Sequence, residues 1–176
     1  MARRIAVACA LAAAVLRPGT VTSQKSTRME TEDDRLVRVE KRAPGFGGMF
    51  FDSDGQLVLY LLDTSQLPAA RSAVEAVFGA DWVPAAGLRA VQGQYTVSQL
   101  AAWTRRASAV LELRGVALVD LDEARNRVAI GVENRSRVKA VEKALASLKV
   151  PREAVVIDVT GAIRPVGRLN PRVEAR

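Results

Sequence analysis

From about residue 44 onward the chain alternates between short segments with an apolar period and polar turns. Phe50 and Phe51 read as a strand, Asp52-Ser-Asp-Gly55 as a tight turn, and residues 57–62 as the returning strand. Asp-Gly between apolar runs predicts a hairpin, because Gly55 reaches positive φ at little cost. Ahead of it, Gly45-Phe-Gly-Gly48 reads as a mobile or tightly turned lead-in to the sheet. A helix is predicted over residues 67–78, with Leu67, Ala70, Val74 and Val77 or Phe78 on one stripe. Pro68 suits its first turn and Gly79 stops it. Residues 82–87, with Trp82 and Pro84, read as a loop.

The pattern becomes more regular after residue 87. Residues 88–95 read as a strand, and Thr96-Val-Ser-Gln99 is a capping box in which hydroxyl and amide satisfy orphan N–H groups. Leu100, Trp103, Ala107 and Val110 then recur at helical spacing. Strands over 116–122 and 127–133 flank the polar turn Glu123-Ala-Arg-Asn126; Ala117, Val119 and Leu121 can face a core while Asp120 and Asp122 face water. A helix follows from Ser136, with Val138, Val141, Leu145 and Leu148 on one face, until Pro151 breaks it. Val155, Ile157 and Val159 give a last alternating strand. The order β-α-β-β-α-β over residues 88–161 predicts an α+β fold with a ferredoxin-like unit, four antiparallel strands under two helices. A smaller ββα unit, residues 44–87, precedes this domain of residues 88–163. Residues 24–43 are polar and of mixed charge; a short helix could form around Leu36, Val37 and Val39, but a flexible linker is the expected state.

Charge and composition place the chain in a compartment. Arg3 and Arg4 precede an apolar run from Ile5 to Leu16, ended by Arg17 and Pro18, with Val21-Thr-Ser23 at the positions a signal peptidase reads. That run falls short of the roughly 20 apolar residues a membrane span requires. Residues 1–23 are therefore expected to be a cleaved signal peptide, making the protein secreted or periplasmic, with no transmembrane span after signal removal. The formal net charge is +7. Residues 1–23 hold three arginines and no acid, and residues 164–176 hold four arginines against Glu174, so the body between them carries only +1. A near-neutral body with two Trp and two Tyr offers neither a basic face nor a stacking platform, so no nucleic-acid partner is expected.

There is no histidine, and the single cysteine, Cys9, lies inside the signal-like run. A His base, a Cys nucleophile and a zinc site built on imidazole or thiolate are excluded from the exported part. The remaining candidates read as structural. Asp120, Asp122 and Glu123 crowd a hairpin tip without the longer oxygen-rich loop of a calcium site. Asp52-Ser-Asp-Gly55, with Asp63 nearby, opens like an EF-hand loop but lacks its later ligands and distal Glu. Ser136-Arg-Val-Lys139 has S-x-x-K spacing without the partner motifs of serine acyltransferases, and Ser136 has a helix to cap. Gly45-Phe-Gly-Gly48 leads into a strand and not a helix, so it is no phosphate cradle. No cofactor and no metal are expected. Trp103 reads as core, and Trp82 as a core cap or an exposed anchor for a partner.

Three stretches carry a family resemblance: Pro44-Gly-Phe-Gly-Gly-Met-Phe-Phe-Asp52, Gln92-Gly-Gln-Tyr95 and Val119-Asp-Leu-Asp-Glu-Ala-Arg-Asn-Arg-Val128. They resemble N-terminal regions of bacterial secreted proteins, some of which look like the pro-regions of α-lytic-protease and streptogrisin-type serine peptidases. The resemblance implies a folding catalyst and inhibitor that packs a small sheet on a protease hairpin and leaves its extended C-terminal end in the active-site cleft. It would assign Val155, Ile157 and Val159 to the docking sheet. The tail 164–176, with Arg164, Arg168, Arg172 and Arg176, would go to the cleft. Heavy-metal-associated domains share the β-α-β-β-α-β pattern, but Gly93-Gln-Tyr-Thr96 stands where their C-x-x-C would be. With no histidine the chain is not itself that protease. The expectation is an exported, non-enzymatic binding domain whose partner is a secreted chymotrypsin-like serine protease or another envelope protein. The alternative is a structural or envelope-associated protein-binding domain.

Overall fold

Thr31 caps the first helix of the described residues. Its hydroxyl accepts the Asp34 N–H at 3.2 Å while the Asp34 carboxylate accepts the Thr31 N–H at 3.0 Å. This reciprocal cap starts a helix, α1 (Glu32–Arg42), with acids in its first turn and Lys41 and Arg42 in its last, as the helix dipole favours. The structure, a computed structural model, describes residues 30–161. The flexible linker expected over 24–43 is thus corrected to a packed helix for its second half. Leu36 and Val39 are buried and Ala43 continues their stripe beyond the helix. Three apolar positions among charges give a weak period, and the neighbours that bury them lie far along the chain. Arg35 stacks over the Phe78 ring at 4.1 Å, and the Glu40 carboxylate accepts the Ser98 N–H at 2.7 Å.

Two similar units follow. In the first, β1 (Phe46–Phe51) and β2 (Leu57–Leu61) form an antiparallel hairpin, α2 (Leu67–Phe78) crosses over, and β3 (Leu88–Gln92) returns parallel to β2. In the second, β4 (Val116–Asp122) and β5 (Arg127–Val132) form the hairpin, α4 (Val138–Ser147) crosses over, and β6 (Val155–Val159) lies parallel to β5. A helix between them, α3 (Val97–Ala107), starts at the Thr96 capping box expected from the sequence. The sheet orders are β1-β2-β3 and β4-β5-β6. Each outer hairpin strand has its irregularity at the same place, between Phe46 and Gly48 and between Val116 and Leu118. Each crossover also starts alike: Asp63 accepts from the N–H and hydroxyl of Ser65, and Asn134 from those of Ser136. The units repeat in structure with little repetition of residues.

The class is α+β, and the β-α-β-β-α-β order runs through residues 88–161 as expected. Its strands are nevertheless shared between two sheets, because β3 pairs with β2 and not with β4, β5 or β6. The first unit is therefore ββαβ and extends past residue 87. A period of two fixes which face of a strand is buried but leaves its hydrogen-bonding neighbour open. Here Leu88 and Ala90 stand beside Leu57 and Leu59 and pack on the same core.

One core joins the units. Leu57, Leu59 and Leu61 meet Leu36, Val39, Ala70 and Val74, while Val128, Ile130 and Val132 meet Val141, Leu145 and Val155. The α3 residues Val97, Leu100 and Ala101 bridge the two sets, since α3 packs on β1 of the first sheet and on β4 and β5 of the second. No helix among the described residues is long and apolar enough to cross a membrane. The expected signal segment 1–23 lies outside the described residues.

Candidate functional site

β6 forms one border of the second sheet, with no strand beyond it among the described residues. Thr160 N–H donates to Val132 O at 2.9 Å. By strand alternation the N–H and C=O groups of Val155, Ile157 and Val159 then point away from β5, toward the open edge. The three residues singled out in the sequence are those whose backbone faces outward. Their side chains differ. Val155 is buried in the core, Ile157 is half-buried against it, and Val159 is 51% exposed. The Val155 carbonyl already accepts from Arg152 Nη1 at 2.8 Å, which leaves Ile157 and Val159 as the outward pair. Arg135, Val138, Lys139 and Glu142 of the neighbouring turn and α4 form a shallow groove beside that pair. Arg164, Arg168, Arg172 and Arg176 of the basic tail lie outside the described residues.

Trp82 is half-buried. Its ring stands 4.6 Å from Phe78 and 5.8 Å from Phe51, so it caps the end of the first core. Phe51 itself is 51% exposed. Trp82 and Phe51 form one wall of a cleft of about 460 Å³ between the two units. The opposite wall is the outer face of the second sheet, with Ala129 and Gly131 as its floor and Leu118, Asp120, Asp158 and Thr160 around them. Gly131 keeps that floor low, since a Cβ there would stand 3.1 Å from both Leu118 Cβ and Thr160 Cγ2.

The carboxylates divide into two groups. Arg125 ties Asp122 (Nε to Oδ2, 2.5 Å) to Asp158 (Nη2 to Oδ2, 2.7 Å). Its hydrogen bond holds Asp158 below the usual carboxylate range, and the arginine is raised in turn. Asp120, Glu123 and Glu32 line the cleft with no arginine or lysine paired to them among the described residues. Burial pushes Glu123 upward, and the charges of Asp33, Asp120 and Glu32 push it further. No group of three acids among the described residues is placed to hold a metal ion.

The earlier hairpin acids are turn formers. Asp52 accepts from the N–H groups of Asp54 and Gln56 and pairs with Arg89 at 3.1 Å. Asn134, and not Ser136, makes the cap before α4; the Ser136 hydroxyl donates to Asn134 Oδ1 at 2.5 Å and sits inside a 3-10 turn, with Lys139 exposed on the following helix. The cap expected at Ser136 is thus corrected: Asn134 caps the 3-10 turn, and α4 itself starts without a side-chain cap.

The most constrained polar group is one that sequence reasoning passed over. Asn126, 2% exposed at φ 51°, closes the β4–β5 turn. Its Oδ1 accepts the N–H groups of Gln94 (2.9 Å) and Tyr95 (3.0 Å), and its Nδ2 donates to Gly47 O (2.8 Å) and Tyr95 O (2.9 Å). The side chain is fully satisfied and stitches the second hairpin to β1 and to the β3–α3 loop. Gly47 is obligatory beside it, since a Cβ would come within 2.5 Å of Tyr95 O and 2.8 Å of Asn126 Nδ2. Tyr60 adds a further tie, its hydroxyl donating to Ala124 O at 3.0 Å. The three stretches that carry the family resemblance thus converge on Asn126. The signal in the sequence was the pair of glycines in a strand, which marks close backbone approach.

Searched against protein-family models and curated proteins, the chain matches none.

Proposed function

We propose that the protein is an exported, non-enzymatic binding domain that engages a secreted chymotrypsin-like serine protease as inhibitor or folding module, as the pro-regions it resembles do. The observation that carries the reading is the open edge of β6, where the backbone of Ile157 and Val159 faces outward beside a half-exposed apolar side chain. An extended segment can add there as a fourth strand, with main-chain hydrogen bonds supplying affinity. The basic tail is assigned to the protease cleft by the resemblance alone.

The test mixes the chain with secreted chymotrypsin-like proteases and measures residual activity, recovery of activity on refolding, and complex formation. Val159→Pro removes an outward N–H and leaves the β5–β6 ladder intact. It should weaken binding at least tenfold with little loss of stability. Absence of inhibition, refolding and complex with every protease tried rules the proposal out. A complex that leaves protease activity and refolding untouched would favour a structural or envelope-associated partner instead.

A further inference from the structure

We infer that the cleft between the two units is a docking groove for a partner segment carrying both cationic and apolar side chains, distinct from the β6 edge. Three observations on this face support it. The second-sheet side of the cleft has small residues, Ala129 and Gly131, at its buried floor, and Leu118 at its border is 44% exposed. Phe51, 51% exposed, stands across the cleft, so the groove has apolar surface on both walls. Asp120, Glu123 and Glu32 supply negative charge with no cation paired to them among the described residues, while the neighbouring Asp122 and Asp158 are both held by Arg125.

The choice of occupant follows from charge and shape. Carboxylates lining one cleft without a cation beside them repel one another, and a cation set among them relieves that repulsion. Anionic lipid and nucleic acid are disfavoured by the same charges. A bare metal ion finds no three-acid site among the described residues. The apolar walls would gain nothing from a small polyamine. A peptide segment with Arg or Lys beside aliphatic residues meets both requirements: its cations face Asp120, Glu123 and Glu32, and its apolar side chains lie on Leu118 and Phe51.

The probe is a labelled eight-residue peptide of alternating Arg and Val, titrated into the full chain at low salt and followed by fluorescence anisotropy. Saturable binding is expected, weakened about tenfold in the triple variant Glu32→Gln, Asp120→Asn, Glu123→Gln, as three exposed ion pairs would give. The triple variant removes repulsion but also one acid from the first turn of α1, so its fold is checked by its urea midpoint beside the parent's. Phe51→Ala should bring the Arg-Val peptide to the affinity of an Arg-Gly peptide of equal charge. No saturation by about 1 mM, or equal binding to the triple variant, overturns the inference. So does equal affinity for the Arg-Gly peptide or spermine, which would make the cleft a mere cation sink. Sedimentation showing copies of the chain joined through this face would assign it to self-association. Binding seen only after Arg164, Arg168, Arg172 and Arg176 are changed to alanine would assign it to residues 162–176 of the same chain. Either result overturns the partner reading.

Discussion

Replacing Asn126 tests how the two units are held together. Alanine at this position removes four hydrogen bonds at once. The bond to Gly47 O is fully buried, and the groups it leaves behind lie where water enters poorly. A buried polar group without a partner costs about 1–3 kcal/mol, and a part-buried one that recovers some hydration about 0.5–1 kcal/mol. One full loss and three partial ones come to about 2.5–6 kcal/mol. The backbone adds about 1 kcal/mol, since φ is 51° and alanine tolerates that region less well than asparagine. Against a domain stability of about 5–15 kcal/mol the sum is severe. Asn126→Gly separates the two parts: it loses the same bonds but none of the backbone, so it should be about 1 kcal/mol milder than alanine. Asn126→Asp keeps the acceptor and turns the donor into an oxygen facing the carbonyls of Gly47 and Tyr95. It should be worst at neutral pH and partly recover in acid, where the carboxyl can donate. Urea titration followed by tryptophan fluorescence reads all three. A loss below about 1 kcal/mol for Asn126→Ala refutes the claim that this side chain joins the units.

Gly47→Ala should destabilise by about 2 kcal/mol or more, because its Cβ meets backbone and a buried amide that cannot both withdraw; a neutral result in the same titration would show that β1 can shift. Leu36→Ala should cost about 2–5 kcal/mol, as for a buried leucine, and a loss under about 0.5 kcal/mol would mean that α1 is not part of the core. On pH, Asp63 is held low by the Ser65 hydroxyl and N–H, and Asp158 by Arg125. Their contribution is complete above the unfolded value of about 3.9 and disappears as pH falls through the lower folded values. Glu123 runs the other way: its folded form binds the proton more tightly, so stability falls as pH rises from about 4.3 through its higher folded value. Glu123→Gln should therefore raise the urea midpoint at pH 7 and lose that advantage below about pH 4; the same gain at both pH values would refute the assignment.

Much of the local structure was legible because single residues decide it. Pro68 and Gly79 bound α2 where the sequence placed them, and the Thr96–Gln99 box starts α3. Val128, Ile130 and Val132 alternate onto the core as the sequence pattern placed them, with the small Ala129 and Gly131 buried between them. What was not legible depends on contacts between distant segments. The stripe of Leu36 and Val39 is too sparse to announce a helix, yet α2 and α3 bury it. Strand β3 carries no mark of its partner, and α2 delivers it beside β2. Asn126 sits in a polar turn like many others, and only the approach of Gly47 and Tyr95 makes it a buried connector. In the candidate site, alternation marked Val155, Ile157 and Val159 as a strand and the family resemblance alone made them a docking edge, while the cleft was missed, because Phe51 faces Leu118, Asp120 and Glu123 only after the units pack together.

The residues behind the family resemblance have a structural task. Gly47, Gly93, Tyr95 and Asn126 bring two backbones close and fasten them, which any protein with this pairing of units requires whatever it binds. A Cβ at Gly93 would stand 3.3 Å from Tyr60 Cβ, so even the glycine of Gln92-Gly-Gln-Tyr95 answers to packing. Likeness at such positions is an argument about architecture first and about activity second. On the proposed reading, recognition would fall to groups that leave little trace in a sequence: the outward amides of Ile157 and Val159, which any residue but proline could supply, and carboxylates with no cation beside them among the described residues. If the proposed reading holds, partner choice would change by a few exposed substitutions around the cleft and along β6, while the stitched interior stays as it is.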